Sequence, residues 1–122
     1  MIRAIVERDG VIGIVFAEQM LSPHWDWDDP STHHTNATRP MAAAVEHIDH
    51  ICQIAGSGNH VAFGTDLDGG FGRELAPTDY NTVADLQKFL DILRTHGYNE
   101  DAVANFAHGN LLRLFGNAWR NA

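Results

Sequence analysis

Asp66 and Asp68 lie two residues apart in the run Gly64-Thr65-Asp66-Leu67-Asp68-Gly69-Gly70. A carboxylate held in an open turn can ligate a metal or take a proton from metal-bound water. Gly64 and Gly69 flank the pair, and glycine lets the backbone turn closely enough to present a carboxylate in a cleft. The run directly follows His60-Val61-Ala62-Phe63-Gly64-Thr65, which reads as a short strand. On the residues alone, a turn or capping role for Asp66 is the plainer alternative, because Asx side chains favour such places. The exit of a parallel strand is nevertheless where α/β enzymes carry catalytic groups.

Other groups invite the same question. The chain has 8 histidines. His24-Trp25-Asp26 has the form of a metal-binding His-x-Asp pair, and His33-His34 stands near Asp28 and Asp29. Imidazole and carboxylate both suit zinc. All of these fall in one polar loop, where solvated side chains are the simpler expectation. Glu46 and His50 are one helical turn apart, and a solvated helix face explains them as well. Asp66-x-Asp68-Gly69 is not a calcium loop: Gly70, Gly72 and Pro77 stand where further oxygen ligands and the closing glutamate are needed. Gly69, Gly70 and Gly72 are not followed by Gly-Lys-Ser/Thr, so a phosphate cradle has little support.

The elements that must position these residues follow from apolar periodicity. Residues 1–9 read as a helix with Ile2, Ile5 and Val6 on one face and Gly10 as its stop. Residues 11–17 form an unbroken apolar, largely β-branched run, as expected of a strand buried on both faces of a parallel sheet. Residues 18–38 form a long loop with Pro23 and Pro30, and loops of that length are usually functional or mobile. Residues 39–55 read as a helix with Met41, Ala44, Val45, Ile48, Ile51, Cys52 and Ala55 inward. Strand 60–65 follows. A helix from about Thr82 to His96 opens on a Thr82/Asp85 capping box and carries a Val83, Leu86, Leu90, Leu93 stripe with Phe89 beside it. Gly97 stops it, Asn99 caps the next helix, and Gly109 or Asn110 starts a last one.

Strand, helix, strand in that order is a βαβ unit of an α/β protein. Two parallel strands alone leave unpaired edges. The chain therefore reads as a segment of a larger sheet, with completion by another copy of itself as the alternative.

Composition narrows the function. With 122 residues, residues 1–122 make one domain at most. The net charge of -8 opposes binding to nucleic acid. Cys52 has no internal disulfide partner, which suits a reducing compartment. No apolar run is long enough to span a membrane, and the first residues lack a signal-peptide pattern. A cytoplasmic protein is the expectation.

Four stretches carry a specific resemblance. His47-Ile48-Asp49-His50-Ile51 with Asn59 through Gly69, Arg94 through Asp101, Gly109-Asn110-Leu111-Leu112-Arg113-Leu114-Phe115, and Ile5 through Ile14 are collinear with the end of the membrane (renal) dipeptidase family. That resemblance implies a TIM-type (β/α)8 barrel, of which this chain supplies about the last two βα units, with parallel strands 11–17 and 60–65. It implies a zinc-dependent dipeptidase that hydrolyses dipeptides by metal-activated water at two zinc ions. Asp66 matches the family's last-strand aspartate, which contacts the bridging hydroxide or the substrate amine and handles the proton. Asp68, Gly64 and Gly69 match its supporting turn. The family's strand-one His-x-Asp, bridging glutamate, metal histidines and carboxylate-binding arginine lie upstream and have no matching positions. The expectation is thus one partial domain, 1–122, catalytically inert without the N-terminal barrel portion and associating as a homo-oligomer. The rival readings are a non-catalytic oligomerising or binding remnant, and a small metal-binding protein using His24, Asp26, His33 and His34.

Overall fold

A computed structural model describes residues 1–33 and 36–120. Its elements in chain order are α1 (Ile2–Val6), β1 (Ile12–Ile14), α2 (Glu18–Leu21), α3 (Ala44–Ala55), β2 (Val61–Phe63), α4 (Leu86–Thr95), α5 (Glu100–Ala104) and α6 (Asn110–Arg120). Short 3-10 turns at Met41–Ala43 and Val83–Asp85 lead into α3 and α4.

The two strands pair in parallel, with Ile12 opposite Val61, Gly13 opposite Ala62 and Ile14 opposite Phe63. Backbone bonds extend the ladder at both ends: Ile12 N to His60 O at 2.8 Å and Phe16 N to Thr65 O at 2.9 Å. The regular strands are thus shorter than the expected 11–17 and 60–65, although the pairing reaches His60 and Thr65. Gly64 and Gly13 set how closely the strands run. A Cβ on Gly64 would lie 2.6 Å from the Gly13 Cα, too close for any side chain.

α3 crosses between the strands, as the apolar spacing predicts. Ala44, Val45, Ile48 and Ile51 are buried on it, and Gly56 ends it in a left-handed conformation at φ 71°. The core is aromatic at its centre. Phe16 meets Phe89 at 4.9 Å between ring centroids, and Phe63 meets Phe106 at 4.6 Å. Fully burying one such ring stabilises the fold by roughly 1.5–3 kcal/mol.

Several expected boundaries move. α1 ends at Val6, and the left-handed residue after it is Asp9, not Gly10. Gly10 is needed for a different reason: its N–H bonds the Ile5 carbonyl, and a Cβ there would meet Ile5 Cγ2 at 2.6 Å. The loop 18–38 is partly ordered into α2 and a 3-10 turn at Pro30–Thr32. On α4 the expected stripe holds from Leu86 onward, with Phe89 and Leu93 buried and Leu86 and Leu90 packed against the core, while Val83 is 76% exposed. Val83 belongs to the 3-10 turn, so the 3.6-residue period does not carry back through it. The last helix starts at Asn110, as expected, but it is not preceded by a break. The chain runs from α5 through a π-helical turn, Asn105–Gly109, directly into α6.

α6 is tied to the N-terminal ends of the strands. The Asn110 amide donates to the carbonyls of Gly58 and Val61, both at 2.8 Å. Arg113 donates to Asn59 O at 2.8 Å and pairs with the Asp9 carboxylate. Leu112, Phe115 and Trp119 on the same helix stay exposed. No described helix is long and apolar enough to cross a membrane.

Candidate active site at the strand exits

Both strands leave the sheet at one end, and the loops that follow them are joined there. After β1 the chain enters α2, where Glu18 is 1% exposed. Its carboxylate accepts from Thr38 N at 3.0 Å, Thr38 Oγ1 at 2.7 Å and Arg39 N at 3.3 Å. Burying a charge is costly unless hydrogen bonds satisfy it, and these three do so. The anchored segment in turn holds the loop after β2. Thr78 N donates to Arg39 O at 2.9 Å, and Met41 N donates to Asp79 Oδ1 at 2.8 Å. Sequence reasoning passed over Glu18. Its one signal is an acid placed immediately after a buried apolar run.

Asp66 lies three residues past Phe63, the last residue of β2, and is exposed. Its φ is 56°, a left-handed conformation that Asp tolerates better than most residues. Its carboxylate makes no hydrogen bond or ion pair to any described residue. Gly69 lets the turn close: its N–H donates to Asp66 O at 2.9 Å, and a Cβ there would meet that oxygen at 2.7 Å and strike Asp66 Oδ1. Asp68 is also left-handed, at φ 69°. Asp68 borders an open hollow of about 180 Å³ with Leu67, Phe71 and Arg73, and Asp66 is not among the residues that line it.

The histidine-rich loop is arranged differently. The His33 ring stacks on Trp25 at 4.4 Å, and its Nε2 lies 2.8 Å from the Asp26 carbonyl. The Asp26 carboxylate accepts from Asp28 N, and the Asp29 carboxylate from Ser31 N, both at 2.9 Å. These are turn-forming bonds. The Ser31 side chain, then its backbone N–H, hold Asp29 below the usual carboxylate range. His24 is exposed. His34 lies outside the described residues. Glu46, His47 and His50 border a surface hollow with Met20 and Leu21. Among the described residues, no three His, Cys, Asp or Glu side chains come together in a way that could hold a metal ion. The described part of this chain therefore does not by itself fit a zinc centre.

Two further polar groups are structural. Asp49 accepts from Tyr98 Oη at 2.6 Å, and the His96 Nε2 lies 3.1 Å from its carboxylate, joining α3 to the turn after α4. Burial, then the Asp49 bond, push the Tyr98 hydroxyl well above its ordinary value. The buried His60 ring places Nδ1 2.8 Å from Gly10 O, which pins the entry of both strands.

The fold is shared with solved metallopeptidases. The fold superposes on the dipeptidase AC with a TM-score of 0.72 at 24% identity, covering 93% of this chain and 30% of that one. It superposes on a Rhodobacter sphaeroides metallopeptidase, solved with a phosphinate mimic of L-Ala-D-Ala, with a TM-score of 0.70 at 24% identity, over 93% and 28%. The match to the family model of the membrane dipeptidases, peptidase family M19, runs over residues 1–122, and the chain belongs to that family.

Two relatives show the same extent. A Klebsiella pneumoniae protein encoded in the pqqA 5′ region is 30% identical over 119 residues, 98% of this chain and 39% of its own length. An uncharacterized dipeptidase of Schizosaccharomyces pombe is 30% identical over 111 residues, 91% of this chain and 24% of its own. The chain thus spans well under half the length of the relatives it matches.

Proposed function

We propose that residues 1–122 form one partial domain, the last two strand–helix units of a (β/α)8 dipeptidase barrel, and that Asp66 is the carboxylate this segment contributes to dipeptide hydrolysis. The observation that carries the reading is the Asp66 side chain. It stands at the exit of β2, exposed and without a partner among the described residues. Buried Glu18 is bonded within the fold, whereas Asp66, exposed at a strand exit, is available to a substrate ammonium or a proton in transfer. Asp68, Gly64 and Gly69 support the turn that presents it.

Zinc, in this reading, falls to residues outside the chain, and no step is assigned to a metal on it. The open edges of β1 and β2 need cover. In the whole enzyme the remaining strands supply it. The polypeptide alone associates with further copies and hydrolyses nothing.

The test has two arms. The polypeptide by itself, supplied with zinc, should leave L-Ala-D-Ala intact. Mixed and refolded with the part of the Klebsiella relative that precedes its matching segment, it should hydrolyse that dipeptide. Failure of the mixture to gain activity, with a folded complex formed, would remove the proposal.

A further inference from the structure

We propose that Glu18 is a positioning residue for Asp66, because it ties both ends of the loop that carries that carboxylate to the exit of β1. The inference rests on the role of Asp66 proposed above. No side-chain bond to a described residue orients Asp66. Its placement is therefore set by its own backbone and by what holds the chain on either side of it.

On the near side, Thr65 O accepts from Phe16 N at 2.9 Å. Ile14 pairs with Phe63, and continuing that register sets Ala17 level with Asp66. Glu18 comes next, and Phe16, Ala17 and Glu18 are all buried. On the far side, three bonds join segment 37–41 to the loop after β2. Ala37 N donates to Glu74 O, Thr78 N to Arg39 O, and Met41 N to Asp79 Oδ1. The Glu18 carboxylate grips the middle of that segment through Thr38 N, Thr38 Oγ1 and Arg39 N. One buried acid is thus the common anchor of both arms. The strand entries have separate ties, from Asn110 to Gly58 and Val61 and from His60 to Gly10. Glu18 acts at the end that carries Asp66. Burying a carboxylate there costs free energy that an apolar side chain would not. What the charge supplies is geometry, since three donors converge on one group. Misplacing a reacting group by about 1 Å can slow a reaction about a hundredfold.

Two measurements test this on Glu18→Gln, which keeps the side-chain shape and removes the charge. Amide hydrogen exchange on the polypeptide reads the clamp. Exchange at Phe16 and Thr78, relative to Ile12 at the strand entry, should quicken about tenfold, the loss expected of one charge-assisted bond. An unchanged ratio overturns the proposal, because global unfolding quickens all three alike. Dipeptide hydrolysis by the reconstituted barrel reads the consequence. Glu18→Gln should lower kcat about tenfold and leave KM within about twofold. In the Asp66→Asn background it should change kcat by less than about twofold. A merely structural loss slows both backgrounds by the same factor, and that result also overturns the proposal. If Asp66→Asn alone leaves the rate intact, it is the role of Asp66 that fails, and Glu18 has nothing there to position. The exchange ratio needs no activity, so it decides the clamp even if the mixture stays inert.

Discussion

The Thr38 hydroxyl donates to the Glu18 carboxylate at 2.7 Å, across 20 positions of chain. That bond closes the excursion between β1 and α3 at its base. Through Arg39 and Met41 it also fixes the loop that follows β2. Glu18→Ala should cost about 2–3 kcal/mol, because the Thr38 and Arg39 donors lose a buried charged acceptor. Glu18→Gln should cost less, since the amide oxygen can accept part of the set. Urea unfolding of the three proteins measures the difference, and equal midpoints would contradict the assignment.

Gly64→Ala should destabilise by about 1–3 kcal/mol, the usual cost of overpacking. The new methyl would sit 2.6 Å from the Gly13 Cα and 2.9 Å from its carbonyl carbon. Gly58→Ala is the control, because a Cβ there meets only the Ala102 methyl at 4.0 Å. Thermal melts of the pair should separate clearly.

Asp85 tests the capping of α4. Its carboxylate accepts from Thr82 N and Asn81 N, both at 2.8 Å, and pairs with Lys88. The Lys88 ammonium, then the two backbone donors, hold its pKa well below the usual carboxylate range. A depressed folded-state pKa gives stability that is present above the unfolded value, about 3.9, and is lost as the pH falls below it. Asp85→Asn should therefore lower the melting temperature at pH 7 and flatten its decline between about pH 4 and pH 2. A parallel decline in both proteins would remove the carboxylate from that role.

The exposed face of α6 makes a prediction about association. Phe115 and Trp119 stack at 5.5 Å, and Trp119 is 75% exposed. Leu112→Lys with Trp119→Lys should reduce concentration-dependent association in sedimentation velocity. Unchanged sedimentation would place the contact elsewhere, at the open strand edges.

The parallel strands, α3 and the Asp66 turn were readable because each rests on local chemistry. Unbroken β-branched runs, a 3.6-residue stripe and glycines at tight turns need no tertiary knowledge. Asn99 shows the same: its side chain caps α5 by accepting from Ala102 N at 2.9 Å. The misses are all tertiary. Val83 is apolar yet faces outward, because a 3-10 turn breaks the helical period. The start of α6 at Asn110 was readable, but the π turn Asn105–Gly109 that joins it to α5 without a break was not. Glu18 could not be told from a solvated acid without the donors of Thr38 and Arg39.

The central claim concerns Asp66, and the most direct measurement is dipeptide hydrolysis by the reconstituted barrel with and without its carboxylate. Asp66→Asn keeps the left-handed turn and the side-chain volume while removing the charge. The account predicts that kcat/KM falls by about 10²–10⁴, the range expected for loss of a positioned acid–base group. A value within about threefold of the unsubstituted protein would mean that Asp66 takes no part in the reaction.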